Sequence, residues 1–181
     1  MFKKIKATLL IANASTIIFF SSAYALDGVS VERGEWSHSS FTNLAAQESW
    51  SFDNDFLIRH DLTTYWEFNA GEIRGNKSHY INGEVQTVTD VGITPVLRRH
   101  GEGDTRFFSE IGIGANYMSA IFNNDSRVMG TRFQFGDFVG VGYKFETGIE
   151  MTVRFQHFSN AGIREPNPAF NYGIVKLAYA F

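Results

Sequence analysis

The sequence has 181 residues, no cysteine and a formal net charge of −3 at neutral pH. The lack of cysteine excludes a disulfide framework and thiol chemistry, and the near-neutral charge without a long basic tract disfavours nucleic acid as a partner. The chain is rich in aromatic residues, with 18 Phe, 7 Tyr and 3 Trp. It contains no glycine-rich phosphate loop and no closely spaced set of metal ligands, so we expect neither a cofactor nor a bound metal.

The first 25 residues have the pattern of a secretory signal peptide. Three lysines among the first six residues precede an apolar stretch over 7–20, and Ala-Tyr-Ala at 23–25 forms a small-x-small cleavage site. The apolar stretch is too short and too interrupted by polar residues for an uncleaved spanning helix. We therefore expect residues 1–25 to be a signal peptide and residues 26–181 to form a single domain.

Eight segments after residue 25 alternate between apolar and polar residues, the period of a strand with two different faces. No segment of this part has the period of a helix. The sixth segment alternates most regularly: Phe133, Phe135, Val139 and Val141 share one face, while glycines and charged residues fill the other. The predicted strands lie at about 28–37, 43–52, 62–73, 84–97, 105–117, 131–145, 149–159 and 170–181.

One face of these strands is apolar, and the other carries Glu, Arg, Gln and Gly. A small membrane barrel has an apolar outside and a lumen filled by polar side chains, whereas a soluble lipocalin-type barrel carrying an apolar ligand would need the reverse. Alternation alone does not say which face is inside. The chain ends on Phe181 with Tyr179 two positions before it, which resembles the assembly signal of bacterial outer-membrane barrels. We therefore predict an all-β, eight-stranded antiparallel transmembrane β-barrel in the outer membrane of a Gram-negative bacterium.

The orientation of such a barrel follows from its even number of strands, with both termini in the periplasm. The loops near 38–42, 74–83, 118–130 and 160–169 are then extracellular. The seventh strand runs outward, so His157 and Ser159 lie at its outer end, on its apolar face and at the level of lipopolysaccharide. The other histidines are expected in solvated turns or loops: His38, His60, His79 and His100.

His157 and Ser159 form an unusual pair for a lipid-facing surface, and a hydroxyl activated by histidine is a common nucleophile for esters. A short turn at 146–148, with Gly148 in the left-handed conformation, places Asp137 of the sixth strand directly across from His157. Asn171 on the eighth strand also faces outward and can approach the imidazole, as asparagine does in Cys-His-Asn hydrolases. The alternative interpretation is that these polar residues have no catalytic role and only mark where the lipid-facing apolar surface ends at the membrane interface.

Three motifs surround these residues. Residues 157–163 read His-Phe-Ser-Asn-Ala-Gly-Ile and are followed by Pro166-Asn167, while Phe135-x-Asp137 and Glu110-x-Gly-Ile-Gly114 lie on neighbouring strands. Together they resemble the signature of the PagL family of lipid A 3-O-deacylases, eight-stranded outer-membrane barrels whose active site lies on the outer wall.

The resemblance implies a serine esterase that removes the ester-linked 3-hydroxyacyl chain from the 3 position of lipid A. It implies Ser159 as nucleophile, His157 as general base, and Asn160 with the Gly162 amide as oxyanion donors. The expected partners are lipid A or lipopolysaccharide as substrate and the surrounding outer-membrane lipid, and a homodimer stays open. The alternative function is a non-enzymatic outer-membrane barrel, an inactive homologue that binds ligands through its extracellular loops.

One position departs from the family. Its best-known members have a glutamate where this chain has Asn171, fourteen residues after the histidine. An asparagine can orient His157 but cannot stabilise the imidazolium with a full charge. The sequence leaves open whether Asn171, Asp137 or Glu165 orients the histidine, and whether the change lowers activity.

Overall fold

The computed structural model describes residues 26–36, 39–50, 55–75, 85–124 and 127–181. The predicted signal peptide, His38, His79 and most of the predicted loop at 74–83 lie outside the described residues. The elements within these ranges are, in chain order, β1 (Gly28–Trp36), β2 (Ser39–Ser49), α1 (Asp55–Arg59), β3 (Leu62–Gly75), β4 (Thr87–His100), β5 (Phe107–Met118), β6 (Asn123–Asn124), β7 (Arg127–Val128), β8 (Phe133–Lys144), β9 (Ile149–Ser159) and β10 (Phe170–Ala180).

Eight of the strands close into a barrel in the order β1-β10-β9-β8-β5-β4-β3-β2. Each strand pairs antiparallel with its neighbours, and β10 returns to β1 with Gly28 opposite Ala180. This topology confirms the predicted eight-stranded antiparallel barrel. The two short strands β6 and β7 form a separate hairpin between β5 and β8.

The faces of the barrel have the polarity of a membrane protein. Large apolar side chains such as Val141, Val153 and Leu177 are exposed on the outside, whereas Glu110 and Arg154 are buried inside. A soluble barrel would have the opposite distribution. The described helix, α1, is neither long nor apolar enough to cross a membrane.

Arg154 of β9 is the centre of a charged network in the lumen. Its guanidinium lies 2.7 Å from Glu32, 2.8 Å from Glu67 and 2.7 Å from Glu110, and Lys176 makes a further ion pair with Glu67. Charges removed from water need partners and hydrogen bonds of good geometry. These contacts join β1, β3, β5, β9 and β10 across the interior.

The outer end of the lumen, where β1, β3, β5 and β9 finish, is apolar. A buried cluster fills it, formed by Phe41, Ile73, Val88, Met118, Phe122, Met129, Phe158, Phe170, Tyr172 and Ile174. A lumen filled throughout by polar residues was expected, so the prediction was wrong for this end. Phe122 and Met129 belong to the segment between β5 and β8, and they bury their side chains against inward-facing residues of the strands. Phe158 holds the end of β9 against this cluster.

Several predicted bounds were wrong. β2 begins at Ser39 rather than near 43, because its first residues continue to pair with the end of β1, and this shortens the predicted loop at 38–42. α1 follows β2, although no helix was expected. β4 extends to His100, which therefore ends a strand with its Nε2 3.1 Å from Thr63 Oγ1 rather than lying in a loop. His60 is exposed in a turn, as predicted.

We expect Arg154→Gln to destabilise the barrel by about 3–5 kcal/mol, because it removes the buried cation that three buried carboxylates share. Arg99→Gln is the matched control, since Arg99 pairs with Glu102 on the exposed surface and such pairs contribute at most about 1 kcal/mol. Denaturant unfolding of the detergent-solubilised variants measures both changes. Equal unfolding midpoints for the two variants would contradict the structural role of Arg154.

Candidate active site

The turn between β8 and β9 sets the register of the site. Phe145 N–H donates to Ile149 O at 2.8 Å, and Gly148 takes the left-handed conformation with φ 83°. This three-residue hairpin loop is the predicted one. Its register carries up the hairpin and places Asp137 directly opposite His157, which confirms that predicted pairing.

His157 lies between two polar neighbours, because Asn171 of β10 is its partner on the other side. His157 Nδ1 lies 2.7 Å from Asn171 Oδ1. An amide oxygen only accepts hydrogen bonds, so Nδ1 carries the proton and the lone pair of the neutral ring is on Nε2. The contact fixes the tautomer in which Nε2 can act as a base.

Ser159 shares the outward face of β9 with His157, and both side chains are half-buried. Two residues of a strand rise by about 7 Å and point the same way, so the hydroxyl and the imidazole are neighbours on the wall. Between them Phe158 points inward and is buried against the apolar cluster of the lumen. Phe158 thereby fixes the backbone that carries both polar side chains.

A tight turn follows Ser159. Ile163 N–H donates to Asn160 O at 3.0 Å, and the two central residues, Ala161 and Gly162, have φ of 52° and 75°. Positive φ at both central positions is the geometry of a type I′ turn. The chain therefore reverses directly beside Ser159.

The side chain of Asn160 holds this turn from within. Asn160 is buried, its Oδ1 accepts Gly162 N–H at 2.9 Å, and its Nδ2 donates to Arg164 O at 2.7 Å. Asn167 Oδ1 in turn accepts Asn160 N–H at 3.0 Å. The two groups expected as oxyanion donors, Asn160 and the Gly162 amide, are thus hydrogen-bonded to each other.

Asp137 and Glu165 are the two carboxylates that were considered as orienting partners of His157. Their contacts differ from those of Asn171. Asp137 is half-buried beside the histidine, and its Oδ1 is buried with no hydrogen-bond partner among the described residues. Glu165 Oε2 instead accepts Asn167 N–H at 3.0 Å, in the loop after β9. No group of three His, Asp or Glu side chains in the described ranges is arranged to hold a metal ion.

Sequence reasoning gave no role to three residues that support the site. Phe158 anchors β9 from the lumen, Asn167 holds Asn160, and Arg127 Nη1 donates to Ala169 O at 3.0 Å, joining two outer loops. The inward position of Phe158 could have been found from the alternation of β9. The other two contacts depend on how the loops fold.

Residues 42–180 match the family model for lipid A 3-O-deacylase, PagL. The chain belongs to the PagL family. The lipid A deacylase PagL of Pseudomonas aeruginosa is 30% identical over 166 residues, 88% of each chain. The lipid A deacylase PagL of Bordetella bronchiseptica is 45% identical over 76 residues, and this match spans 42% of the chain and 41% of that relative.

The fold agrees with the PagL family. The crystal structure of the outer membrane enzyme PagL aligns with a TM-score of 0.62 and 25% identity, over 85% of this chain and 99% of that one. The chain is therefore an outer-membrane β-barrel, and a barrel without enzymatic activity is not favoured.

The tautomer of His157 in this PagL-family chain can be tested directly. We expect long-range ¹H–¹⁵N NMR spectra, at a pH where the ring is neutral, to show Nδ1 protonated and Nε2 unprotonated. Asn171→Ala removes the acceptor, so the ring should populate both tautomers. Asn167→Ala is the control and should leave the tautomer unchanged, because Asn167 bonds to Asn160 instead. A proton on Nε2 in the parent protein would refute the orienting contact.

Proposed function

We propose that Ser159 and His157 are the catalytic pair of a lipid A 3-O-deacylase, which hydrolyses the ester-linked 3-hydroxyacyl chain at the 3 position of lipid A. The observation that carries this proposal is the contact between His157 Nδ1 and Asn171 Oδ1. It leaves the basic Nε2 for Ser159, on the outer face of the barrel wall. The substrate arrives by lateral diffusion in the outer leaflet and needs no cleft through the barrel.

The reaction proceeds through an acyl-enzyme. His157 Nε2 takes the proton from Ser159 Oγ while Oγ attacks the acyl carbonyl. The tetrahedral intermediate collapses, and the imidazolium returns the proton to the departing 3-hydroxyl of lipid A. A water molecule, deprotonated by the same Nε2, then attacks the acyl-serine ester and releases the 3-hydroxy fatty acid.

The oxyanion of each intermediate needs hydrogen-bond donors positioned beside Ser159. We assign this role to the Gly162 amide and to Asn160, which belong to the turn that follows Ser159. Because Gly162 N–H donates to Asn160 Oδ1, the substrate oxygen has to replace that acceptor. Asn160 Nδ2 carries a second hydrogen besides the one donated to Arg164 O, and it can support the same oxyanion.

Two different residues orient His157 and stabilise its imidazolium in this proposal. Asn171 holds the tautomer of His157, and Asp137 on the opposite strand supplies the negative charge that stabilises the imidazolium. A charge on a lipid-facing wall acts through a low dielectric, which strengthens its effect. The unpartnered Oδ1 of Asp137 supports this assignment, whereas Glu165 is engaged by Asn167.

Residues 1–25 are proposed to be a signal peptide cleaved after Ala25. It would direct the barrel domain, residues 26–181, through the inner membrane for assembly in the outer membrane of a Gram-negative bacterium.

We expect Ser159→Ala to lower deacylation at least about a thousandfold, since it removes the nucleophile of a cooperative pair. Ser109→Ala is the matched control, because Ser109 is also an exposed serine on the outer wall but lies near the other end of the barrel. Mass spectrometry of lipid A from outer membranes measures the loss of one 3-hydroxyacyl group. The proposal fails if lipid A loses this group equally with the parent and the Ser159→Ala barrel.

We expect Asn171→Ala and Asp137→Asn each to lower kcat, with the larger loss, about a hundredfold, for Asn171→Ala because base orientation is lost. Asn171→Glu provides orientation and charge together, so it should restore activity to the Asp137→Asn variant. Steady-state kinetics on purified lipid A in mixed micelles measures both effects. Full activity of Asn171→Ala beside an inactive Asp137→Ala would move the orienting role to β8.

A further inference from the structure

Gly130 brings the segment between β5 and β8 into close contact with the loop after β9. Gly130 is buried, and a Cβ on it would lie 2.4 Å from Arg164 O and 2.8 Å from Glu165 O. A side-chain carbon cannot approach backbone atoms so closely, so the two backbones meet in a way that only glycine allows. The φ of Gly130 is not positive. The close approach, rather than the backbone conformation, therefore requires glycine at this position.

Arg164 O, the atom nearest to a Gly130 Cβ, is also the atom that holds Asn160. Asn160 Nδ2 donates to Arg164 O at 2.7 Å, and Asn160 Oδ1 accepts Gly162 N–H at 2.9 Å. The carbonyl packed against Gly130 thus fixes the side chain of Asn160 and, through it, the turn with the Gly162 amide. These are the two groups assigned above as oxyanion donors.

Of the two backbones that meet here, the one carrying Gly130 is held more firmly. The preceding residue, Met129, is buried in the apolar cluster of the outer lumen, and its N–H donates to Phe122 O at 3.0 Å. Arg164 and Glu165, by contrast, are exposed. A group inserted between the two backbones therefore displaces the loop after β9 rather than Gly130.

The segment between β5 and β8 also holds the far end of the loop after β9. Phe122 stacks on Phe170 with ring centroids 4.3 Å apart and an interplanar angle of 26°. Arg127 Nη1 donates to Ala169 O at 3.0 Å. The segment thus supports this loop at two places, once at Arg164 and again where β10 begins.

We propose that Gly130 is a positioning residue for deacylation, which acts through Arg164 O to set Asn160 and the Gly162 amide beside the oxyanion. The inference rests on the function proposed for Ser159 and His157. A methyl group at position 130 would lie 2.4 Å from Arg164 O, whereas ordinary van der Waals contact begins at 3.4 Å. The carbonyl has to move by about 1 Å, and a displacement of this size near a reacting group can cost about a hundredfold in rate.

We expect Gly130→Ala to lower kcat on purified lipid A in mixed micelles by about tenfold to a hundredfold. KM should change little, because the oxyanion exists only after the nucleophile has attacked. Gly101→Ala is the matched control. A Cβ on Gly101 would also meet a backbone carbonyl, Asp104 O at 2.8 Å, but in the turn after β4 at the other end of the barrel, so kcat should stay at the parent value.

A double-mutant cycle separates positioning from a general structural effect. If Gly130 acts through Asn160, then Gly130→Ala should cause no further loss of kcat in an Asn160→Ala background. A general disturbance of the barrel would lower kcat by the same factor in both backgrounds. The His157 tautomer should also be unchanged in Gly130→Ala, since Asn171 on β10 fixes it.

Three results would overturn the role of Gly130. They are a parent-like kcat in the folded Gly130→Ala variant, an equal loss in both backgrounds, and a raised KM with kcat unchanged. Heat-modifiable mobility on gels shows whether each variant is folded. If Gly130→Ala does not fold, Arg127→Gln replaces it, since it removes the bond to Ala169 O, and its loss of kcat should likewise vanish in the Asn160→Ala background. Failure of the proposed function gives a separate signature, because Ser159→Ala would then deacylate lipid A as fast as the parent.

Discussion

The closed hydrogen-bonded sheet is the constraint on which the rest of this molecule depends. Because β10 pairs with β1, every strand has two neighbours, and each residue points either to lipid or into the lumen. A shift of one residue would exchange the two faces along a whole strand. The register of β8, β9 and β10 therefore decides that His157, Ser159, Asp137 and Asn171 share the lipid face.

The interior gives this wall its rigidity. Charged contacts around Arg154 link strands on opposite sides of the lumen, and the apolar cluster closes its outer end. Phe158 belongs to that cluster and lies between the two residues proposed to react. Because packing in the lumen fixes this part of β9, His157 and Ser159 need little reorganisation when the substrate arrives. The adjoining turn differs, because the Gly162 amide that would face the oxyanion is first bonded to Asn160 Oδ1.

The sequence predicted much of this arrangement, because period-two alternation and a short glycine turn are local signals. These signals alone predict the eight barrel strands and the position of Asp137 opposite His157. The apolar outer lumen, the helix α1 and the hairpin of β6 and β7 were not predicted, since they depend on how segments between strands fold against the barrel.

The central claim is that Ser159 is the nucleophile on the lipid-facing wall. A lipid-like fluorophosphonate, which forms a stable bond with an activated serine, tests it most directly when the labelled protein is digested and analysed by mass spectrometry. The account predicts one adduct, on Ser159, that is lost in His157→Ala although this barrel still folds. An active protein that carries no adduct, or one on another residue such as Ser109, would contradict it.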